Sequence, residues 1–210
     1  MTPQQQYFTT SRWLEVLRGL PPEGALLHQN SYRLLTGLPE KTLRQACWRL
    51  GRQGILTHVA GGWYTHAFRP ATLDEASAVV VCPSYISLET VLQWRGVTTQ
   101  PSVDLTCITT KPTETRRTPL GSIRYHTISR RLFFGFDKRR SANRLWVYEA
   151  HPEKALLDLI YLAGRTGSGI WLDFDFHRLD AARLAAYTAR FPQFVGASLD
   201  RLRQTHVTLS

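Results

Sequence analysis

One twelve-residue stretch, HPEKALLDLIYL (151–162), constrains the fold of this chain more than any other. At 100° per residue, its alanine, leucines and isoleucine cover most of the circumference of a helix, and such a helix must be enclosed by other elements. Lys154, Asp158, Tyr161 and Arg165 share one narrow stripe. The pattern predicts a helix inside a domain, with this polar stripe facing solvent or a partner and with Lys154 able to pair with Asp158.

A catalytic function is the alternative interpretation, because the stretch also holds a histidine, two acids and a lysine. A metal-dependent nuclease needs spaced carboxylates and a lysine that converge on a metal ion. Asp173 and Asp175 in WLDFDFH alternate as they would on one strand face, but no E-x-K strand accompanies them. The seven histidines lack metal-ligand spacing, and no nucleotide-binding or nucleophile motif is present. We therefore expect the stretch 151–162 to have a structural role, and we expect no catalytic residues, cofactor or metal.

The first seventy residues show the element order of a winged helix-turn-helix. An amphipathic pattern over residues 10–18 is followed by helical turns over residues 25–36. A longer helix is then predicted from Pro39, with Gly54 where a C-terminal cap is expected. Two β-favouring runs flank Gly61–Gly62, which predicts a hairpin, the wing.

The chain divides at Pro70 to Asp74, which gives a DNA-binding domain over 1–70 and a second domain over 71–210. The second domain alternates between strand and helix patterns. Its predicted strands are SAVVVCP, SVDLTCITT, GSIRYHTIS, RLFFGF and RLWVYEA, with a turn at Pro119–Gly121 and a loop at DKRRSANR. Its predicted helices are SYISLETVLQWRG, HPEKALLDLIYLAG, LDAARLAAYTARF and ASLDRLRQTH. The expected fold class is α+β: an N-terminal winged helix-turn-helix followed by a mixed α+β C-terminal domain.

The charge indicates a polyanionic partner, with nucleic acid as the first candidate. The net charge is +10 and the pI is about 10.0. Residues 1–70 hold 8 Lys and Arg against 3 Asp and Glu, and residues 111–144 hold 10 against 2. Most of these cations are arginines, which favours recognition of phosphate. Cations on an ordinary solvated surface are the alternative.

The predicted third helix has one apolar and one polar face. Leu43, Ala46, Cys47 and Leu50 fall on the core side of a helical wheel. Arginine and lysine on the opposite side suit guanine edges or phosphates, and glutamine suits adenine. The residues predicted to bind DNA are Lys41, Thr42, Arg44, Gln45, Trp48, Arg49 and Arg52 on the helix and Trp63 on the hairpin. His58 and His66 on the hairpin are either further DNA contacts or only the outer face of the hairpin. The alternatives are the polar side of an ordinary surface helix and, for Trp48, packing against the hairpin or the second domain.

The cysteines, the N-terminal segment and the lengths of the apolar runs indicate the compartment in which the protein is expected. Cys47, Cys82 and Cys107 are odd in number and have no CxxC spacing, which argues against a disulfide framework or a structural zinc site. The segment MTPQQQYFTTSRW has no signal core, and no apolar run is long enough to span a bilayer. These features predict a cytoplasmic protein without a membrane partner.

Four segments together resemble the AbiEi family of antitoxins from type IV toxin–antitoxin systems, some of which act in phage defence. The segments are PSYISLETVLQWRGV (83–97), LTCITTK (105–111), TPLGSIRYHTI (118–128) and HPEKALLDLIYL (151–162). With the GGWY hairpin, the resemblance covers most of the chain, and it depends on the combination and order of the segments.

The resemblance implies a bacterial or archaeal antitoxin that represses its own operon by binding inverted repeats in the promoter. It implies a nucleotidyltransferase-like toxin as partner, which is neutralised without any need for a stable complex. It places Lys41, Thr42, Arg44, Gln45 and Arg49 on the recognition helix. A second basic patch, for phosphate or for antitoxin function, would comprise Arg116, Arg117, Arg130, Arg131, Lys138, Arg139 and Arg140. A stand-alone transcriptional regulator with a dimerisation or sensing domain is the alternative.

Overall fold

The first part of the chain consists of three helices and a small sheet. The computed structural model describes residues 8–207, with side chains up to residue 204. Residues 1–7, part of the segment predicted to have no signal core, and the side chain of His206 lie outside the described residues. The elements are, in chain order, α1 (Thr10–Gly19), β1 (Leu26–His28), α2 (Gln29–Thr36), α3 (Glu40–Arg52), β2 (Leu56–Ala60) and β3 (Trp63–His66). The strands pair antiparallel in the order β1-β3-β2.

Local chemistry fixes the ends of these elements. The Thr9 hydroxyl accepts the N–H of Arg12 at 3.3 Å and caps α1. Gly61 and Gly62 have φ of +51° and +84°, which a two-residue hairpin of the I′ type requires, so the predicted hairpin is confirmed. The helical turns predicted from residue 25 are wrong at their start. Leu26 pairs with Thr65 of β3, and tertiary pairing therefore makes this segment a strand.

The core of this part is built from one face of each helix. Trp13 of α1 and Tyr32 of α2 are fully buried and meet edge to face, with ring centroids 5.8 Å apart. The four residues predicted on the core side of α3 are all buried against this cluster, which confirms the helical-wheel assignment: Leu43, Ala46, Cys47 and Leu50.

The second part contains a six-stranded mixed sheet with helices on both faces. Its elements are α4 (Leu73–Val80), β4 (Ser84–Ile86), α5 (Leu88–Trp94), β5 (Leu105–Thr109), β6 (Glu114–Thr118), β7 (Gly121–Thr127), β8 (Phe136–Arg140), β9 (Trp146–Ala150), α6 (Pro152–Thr166), α7 (Ala181–Thr188) and α8 (Gln193–Val207). The strand order is β6-β7-β5-β4-β9-β8. The pairs β5–β7 and β4–β9 are parallel and the others are antiparallel. The chain is a mixed α+β protein, as the sequence predicts.

The sheet separates α4 from the other helices. On one face, the Tyr125 hydroxyl donates to the backbone oxygen of Ser77 in α4 at 2.8 Å. On the other face, α5 and α6 pack against each other and against the sheet, and α7 and α8 cover α6. The helix predicted over HPEKALLDLIYLAG is thus present as α6 and enclosed on most sides.

Two strand predictions in this part are wrong. SAVVVCP lies mostly in α4, because the segment Thr72–Glu75 begins a helix: the Glu75 carboxylate accepts the N–H of Thr72 at 2.8 Å, half of a capping box. RLFFGF forms a 3₁₀ turn and a bend before β8, and the predicted DKRRSANR loop is half strand. The strand β6 was not predicted, because ETRRT is polar throughout, as an exposed edge strand can be.

The predicted boundary at Pro70 to Asp74 covers the end of the connection between β3 and α4 and the first two residues of α4. The two parts are in contact there. Leu26 and Val59 of the small sheet pack with Ala71 and Ala76 in one buried cluster. Asn143, in the β8–β9 turn, donates its side-chain N–H to Glu75 at 3.0 Å and to the backbone oxygen of Pro70 at 3.2 Å. The start of α4 is therefore held from both sides.

Glu75 is expected to be a main contributor to the stability of this junction. Its carboxylate is 2% exposed and accepts hydrogen bonds from Thr72 and Asn143. Glu75→Ala removes the buried acceptor of these part-buried hydrogen bonds and should lower the free energy of unfolding by about 1–3 kcal/mol. Glu75→Gln keeps an acceptor and should cost less than half as much. Chemical denaturation of both variants measures this; equal losses would show that the hydrogen bonds are unimportant.

Candidate nucleic-acid interface

The solvent-facing side of α3 carries most of the residues predicted to bind DNA. A tight turn precedes α3, in which Gly37 has φ of +68° and Leu38 is buried. Because α3 begins directly after this turn, its core face is fixed and its other face projects from the protein. The exposed residues on that face are Lys41, Thr42, Arg44, Gln45, Trp48, Arg49 and Arg52.

The polar groups of this face are only weakly engaged within the protein. Arg44 forms an exposed ion pair with Glu40 at 2.7 Å, one turn earlier. Arg49 reaches the backbone oxygen of Phe8 at 3.5 Å. The side chains of Lys41 and Gln45 are exposed and make no hydrogen bond or ion pair with the described residues. Surface pairs of the Arg44 kind contribute little to stability, so these side chains can turn to a ligand at small cost.

Trp48 does not pack against the second part of the chain. Its side chain is 65% exposed, and the Arg52 guanidinium carbon lies 5.1 Å from its ring centroid. The indole forms one wall of a groove of about 480 Å³ between α3 and the hairpin. His58 and Tyr64 form the opposite wall, with their ring centroids 5.0 Å apart.

The groove carries positive but no negative charge. Arg44 and Arg52 line it together with Cys47. Burial raises the pKa of the Cys47 thiol to about 11, and burial also raises the pKa of the Tyr64 hydroxyl. Both groups are therefore neutral at pH 7, and the groove presents hydrogen-bond donors, aromatic rings and cations to a ligand.

The structure does not bring Trp63 to this surface. Side chains alternate along β3, and Tyr64 faces α3, so Trp63 faces the other way. It packs on the Leu26 and Val59 cluster between the two parts of the chain. His66, also considered on the hairpin, is 3% exposed. Tyr64 was not among the residues predicted to bind DNA, although the strand period places Tyr64 and Trp63 on opposite faces.

The cations of residues 111–144 do not form one patch. Arg116 and Arg117 lie on β6, whereas Lys138 and Arg140 lie on β8. These strands are opposite edges of the six-stranded sheet. Five strand spacings separate them, roughly 24 Å. Arg130 and Arg131 occupy an exposed 3₁₀ turn between β7 and β8.

Arg139 is engaged inside the protein, and its place in the second basic patch is corrected. It alternates to the opposite face of β8 from Lys138 and Arg140. There it forms ion pairs with Asp74, at 2.9 Å, and with Glu149. Two carboxylates neutralise its charge, so this arginine ties β8 to α4 and β9 and is not available to phosphate.

Three of the four residues of the polar stripe of α6, Lys154, Asp158 and Tyr161, are buried, so the expectation that the stripe faces solvent or a partner is wrong for them; Arg165, in the last turn, is exposed. Lys154 and Asp158 are both 0% exposed and form an ion pair, as their spacing predicts. Asp158 accepts the hydroxyls of Tyr85 and Ser87 at 3.0 and 2.9 Å, and Lys154 donates to Tyr85 at 2.9 Å. Burial lowers the pKa of Lys154 and raises the pKa of Asp158. The cluster has no access to solvent and joins α6 to β4.

The carboxylates weighed for a nuclease are not arranged on a strand. Asp173 and Asp175 are exposed in the irregular segment between α6 and α7, and Asp175 pairs with Arg178 at 3.1 Å. Within residues 8–207, no group of three or more His, Cys, Asp or Glu side chains is placed to hold a metal ion. No helix in the described part of the chain is long and apolar enough to cross a membrane.

Comparison of the sequence with protein-family models and with curated proteins finds no match.

Proposed function

We propose that this protein binds double-stranded DNA through the exposed face of α3 and the adjoining groove. The α3 face carries the proposal, because it combines weakly engaged cations and a glutamine on one rigid helix. The order α1-β1-α2-α3-β2-β3 with the sheet order β1-β3-β2 is typical of winged helix-turn-helix domains. In helix-turn-helix proteins, the second helix of the pair enters the major groove.

The resemblance to AbiEi antitoxins supplies the biological role. We propose a cytoplasmic, non-enzymatic antitoxin of a type IV system that represses its own operon and counteracts a nucleotidyltransferase-like toxin. One recognition helix reads only a few base pairs, so two copies on an inverted repeat are expected. Arg116 and Arg117, on the edge strand β6, add phosphate contacts that carry no sequence information.

The test is fluorescence anisotropy of the full chain on its own upstream DNA and on a scrambled duplex of equal length, each across a salt series. Affinity for both duplexes should fall with salt, with a log–log slope of about 0.9 for each phosphate neutralised. Affinity for the upstream DNA should stay higher at every salt concentration, because base contacts are less sensitive to salt than phosphate contacts. Equal binding to both duplexes would contradict a specific repressor.

A ligand-responsive regulator without a toxin is the second candidate, and one cavity favours it. A cavity of about 700 Å³ lies between α6, β7 and the segment after α6. Its walls are largely apolar, from residues such as Leu159, Leu162 and Ile170, and this volume suits a small molecule. A nucleotidyltransferase-like gene directly downstream would favour the antitoxin, and its absence would favour the sensor.

A further inference from the structure

The β8–β9 hairpin presents a second surface whose chemistry differs from that of α3. Because side chains alternate, Lys138 and Arg140 of β8 share one face with Trp146 and Tyr148 of β9. Lys138 lies directly opposite Tyr148, and Arg140 lies opposite Trp146. Trp146 and Tyr148 are 44% and 41% exposed. These four residues, which we term the hairpin face, form an aromatic and basic strip at the edge of the six-stranded sheet.

Contacts within the hairpin face hold its rings in place. The guanidinium carbon of Arg140 lies 3.9 Å from the ring centroid of Trp146, and the Lys138 ammonium lies 4.7 Å from it. Tyr148 packs edge to face on Phe136, with ring centroids 6.2 Å apart, and Phe136 stacks on the buried Tyr85. Tyr148 therefore continues an aromatic stack outward from the core, whereas Trp146 is held by the two cations beside its ring.

The hairpin face has no acidic partner for its cations. Asp137 and Glu149, the acids of these two strands, alternate to the opposite face, where Asp137 contacts His151 and Glu149 contacts Arg139. Lys138 and Arg140 form no ion pair with the described residues. A ligand for this surface must therefore offer both flat apolar rings and negative charge.

We propose that the hairpin face binds single-stranded nucleic acid, with bases stacked on Trp146 and Tyr148 and phosphates against Lys138 and Arg140. Aromatic platforms beside cations are the usual means by which proteins hold single strands without sequence preference. Duplex DNA does not fit, because its bases are stacked on each other and present only edges to a protein. The proposal does not rest on duplex binding by α3.

Anisotropy of labelled dT15 and rU15 with the full chain tests the hairpin face. Trp146→Leu and Tyr148→Leu should each weaken binding roughly five-fold to 150-fold, the range of stacking on single bases. Trp146→Phe keeps a ring and should recover most of the affinity. Trp171→Leu is the matched control, because Trp171 is 88% exposed on the irregular segment after α6, and it should bind like the wild type.

The outcomes separate this surface from the α3 surface. Arg44→Ala should weaken duplex binding and leave dT15 binding unchanged, whereas Trp146→Leu should do the reverse. If the aromatic variants melt like the wild type and bind both single strands equally well, the proposal is overturned. It is also overturned if Lys138→Gln and Arg140→Gln weaken binding while the aromatic variants do not, because the face would then be only a phosphate contact.

Discussion

Asp158→Asn is expected to lower the free energy of unfolding by about 3–5 kcal/mol, the loss found when one partner of a buried ion pair is removed. Asparagine fits the space and can still accept hydroxyl protons from Tyr85 or Ser87. It cannot neutralise Lys154, which is 0% exposed. The folded protein must then either bury an unpaired ammonium or bind one proton fewer, and both are costly.

The loss should shrink as the pH rises. Burial already lowers the pKa of Lys154 below its ordinary value of 10.5, and removing Asp158 lowers that pKa further. Between the folded pKa and 10.5, the unfolded chain binds more protons at this lysine than the folded chain does. Stability therefore rises with pH in this window, and it rises more in the variant than in the wild type. Denaturation at pH 7 and pH 10 should show a smaller difference at pH 10.

Two further variants test whether burial is the cause. Glu40→Gln breaks an exposed ion pair with the same four-residue spacing and should change stability by about 0.5 kcal/mol or less. The double variant Lys154→Met/Asp158→Leu removes both charges and should be more stable than Asp158→Asn alone. If Asp158→Asn and Glu40→Gln had the same effect, the buried cluster would contribute no more than a surface pair.

Arg44→Ala and Arg49→Ala are expected to give the largest losses in DNA binding. Each arginine that contacts a guanine edge contributes about 1–3 kcal/mol of discrimination, which is roughly 5-fold to 150-fold in Kd. If the replaced arginine contacts a base, affinity should fall for the upstream duplex alone. If the replaced arginine contacts a phosphate, affinity should fall for both duplexes, and the slope of log affinity against log salt should decrease by about 0.9. The same titrations therefore assign each arginine to bases or to phosphates.

Folding and net charge must be controlled in this comparison. Both side chains are exposed, so both variants should melt like the wild type. Arg165→Ala removes one exposed charge from the last turn of α6 and should shift affinity far less. Should Arg44→Ala and Arg49→Ala both bind as the wild type does, the assignment of the α3 face to DNA would be incorrect.

Local patterns were enough to predict much of the first part. The face of α3 follows from the helical period alone, and Leu43 and Leu50 point inward as expected. The hairpin follows from two adjacent glycines, which tolerate positive φ. The orientation of Trp63 was predicted wrongly, because a two-residue period shows that neighbouring side chains face opposite ways but not which of them faces α3.

Strand and helix were confused where packing outweighs composition. The run of valines in α4 favours a strand, yet a buried carboxylate at Glu75 caps a helix there. The polar strand β6 gives no periodic signal, and it is a strand because β7 offers a free edge for pairing. The cations over residues 111–144 belong to one segment of the sequence. The sheet order nevertheless places those of β6 and those of β8 at opposite edges of the six-stranded sheet.

The helical period predicts both that α6 is enclosed and that Lys154 and Asp158 lie one turn apart. The burial of their charges depends on contacts with distant segments of the chain. Tyr85 and Ser87, about seventy residues earlier in the chain, donate hydrogen bonds that satisfy Asp158 inside the protein. The spacing of residues along a helix fixes which side chains are neighbours, whereas the environment of a charge depends on elements that are remote in sequence. The tertiary fold therefore buries Lys154 and Asp158, two members of a stripe that was expected at the surface.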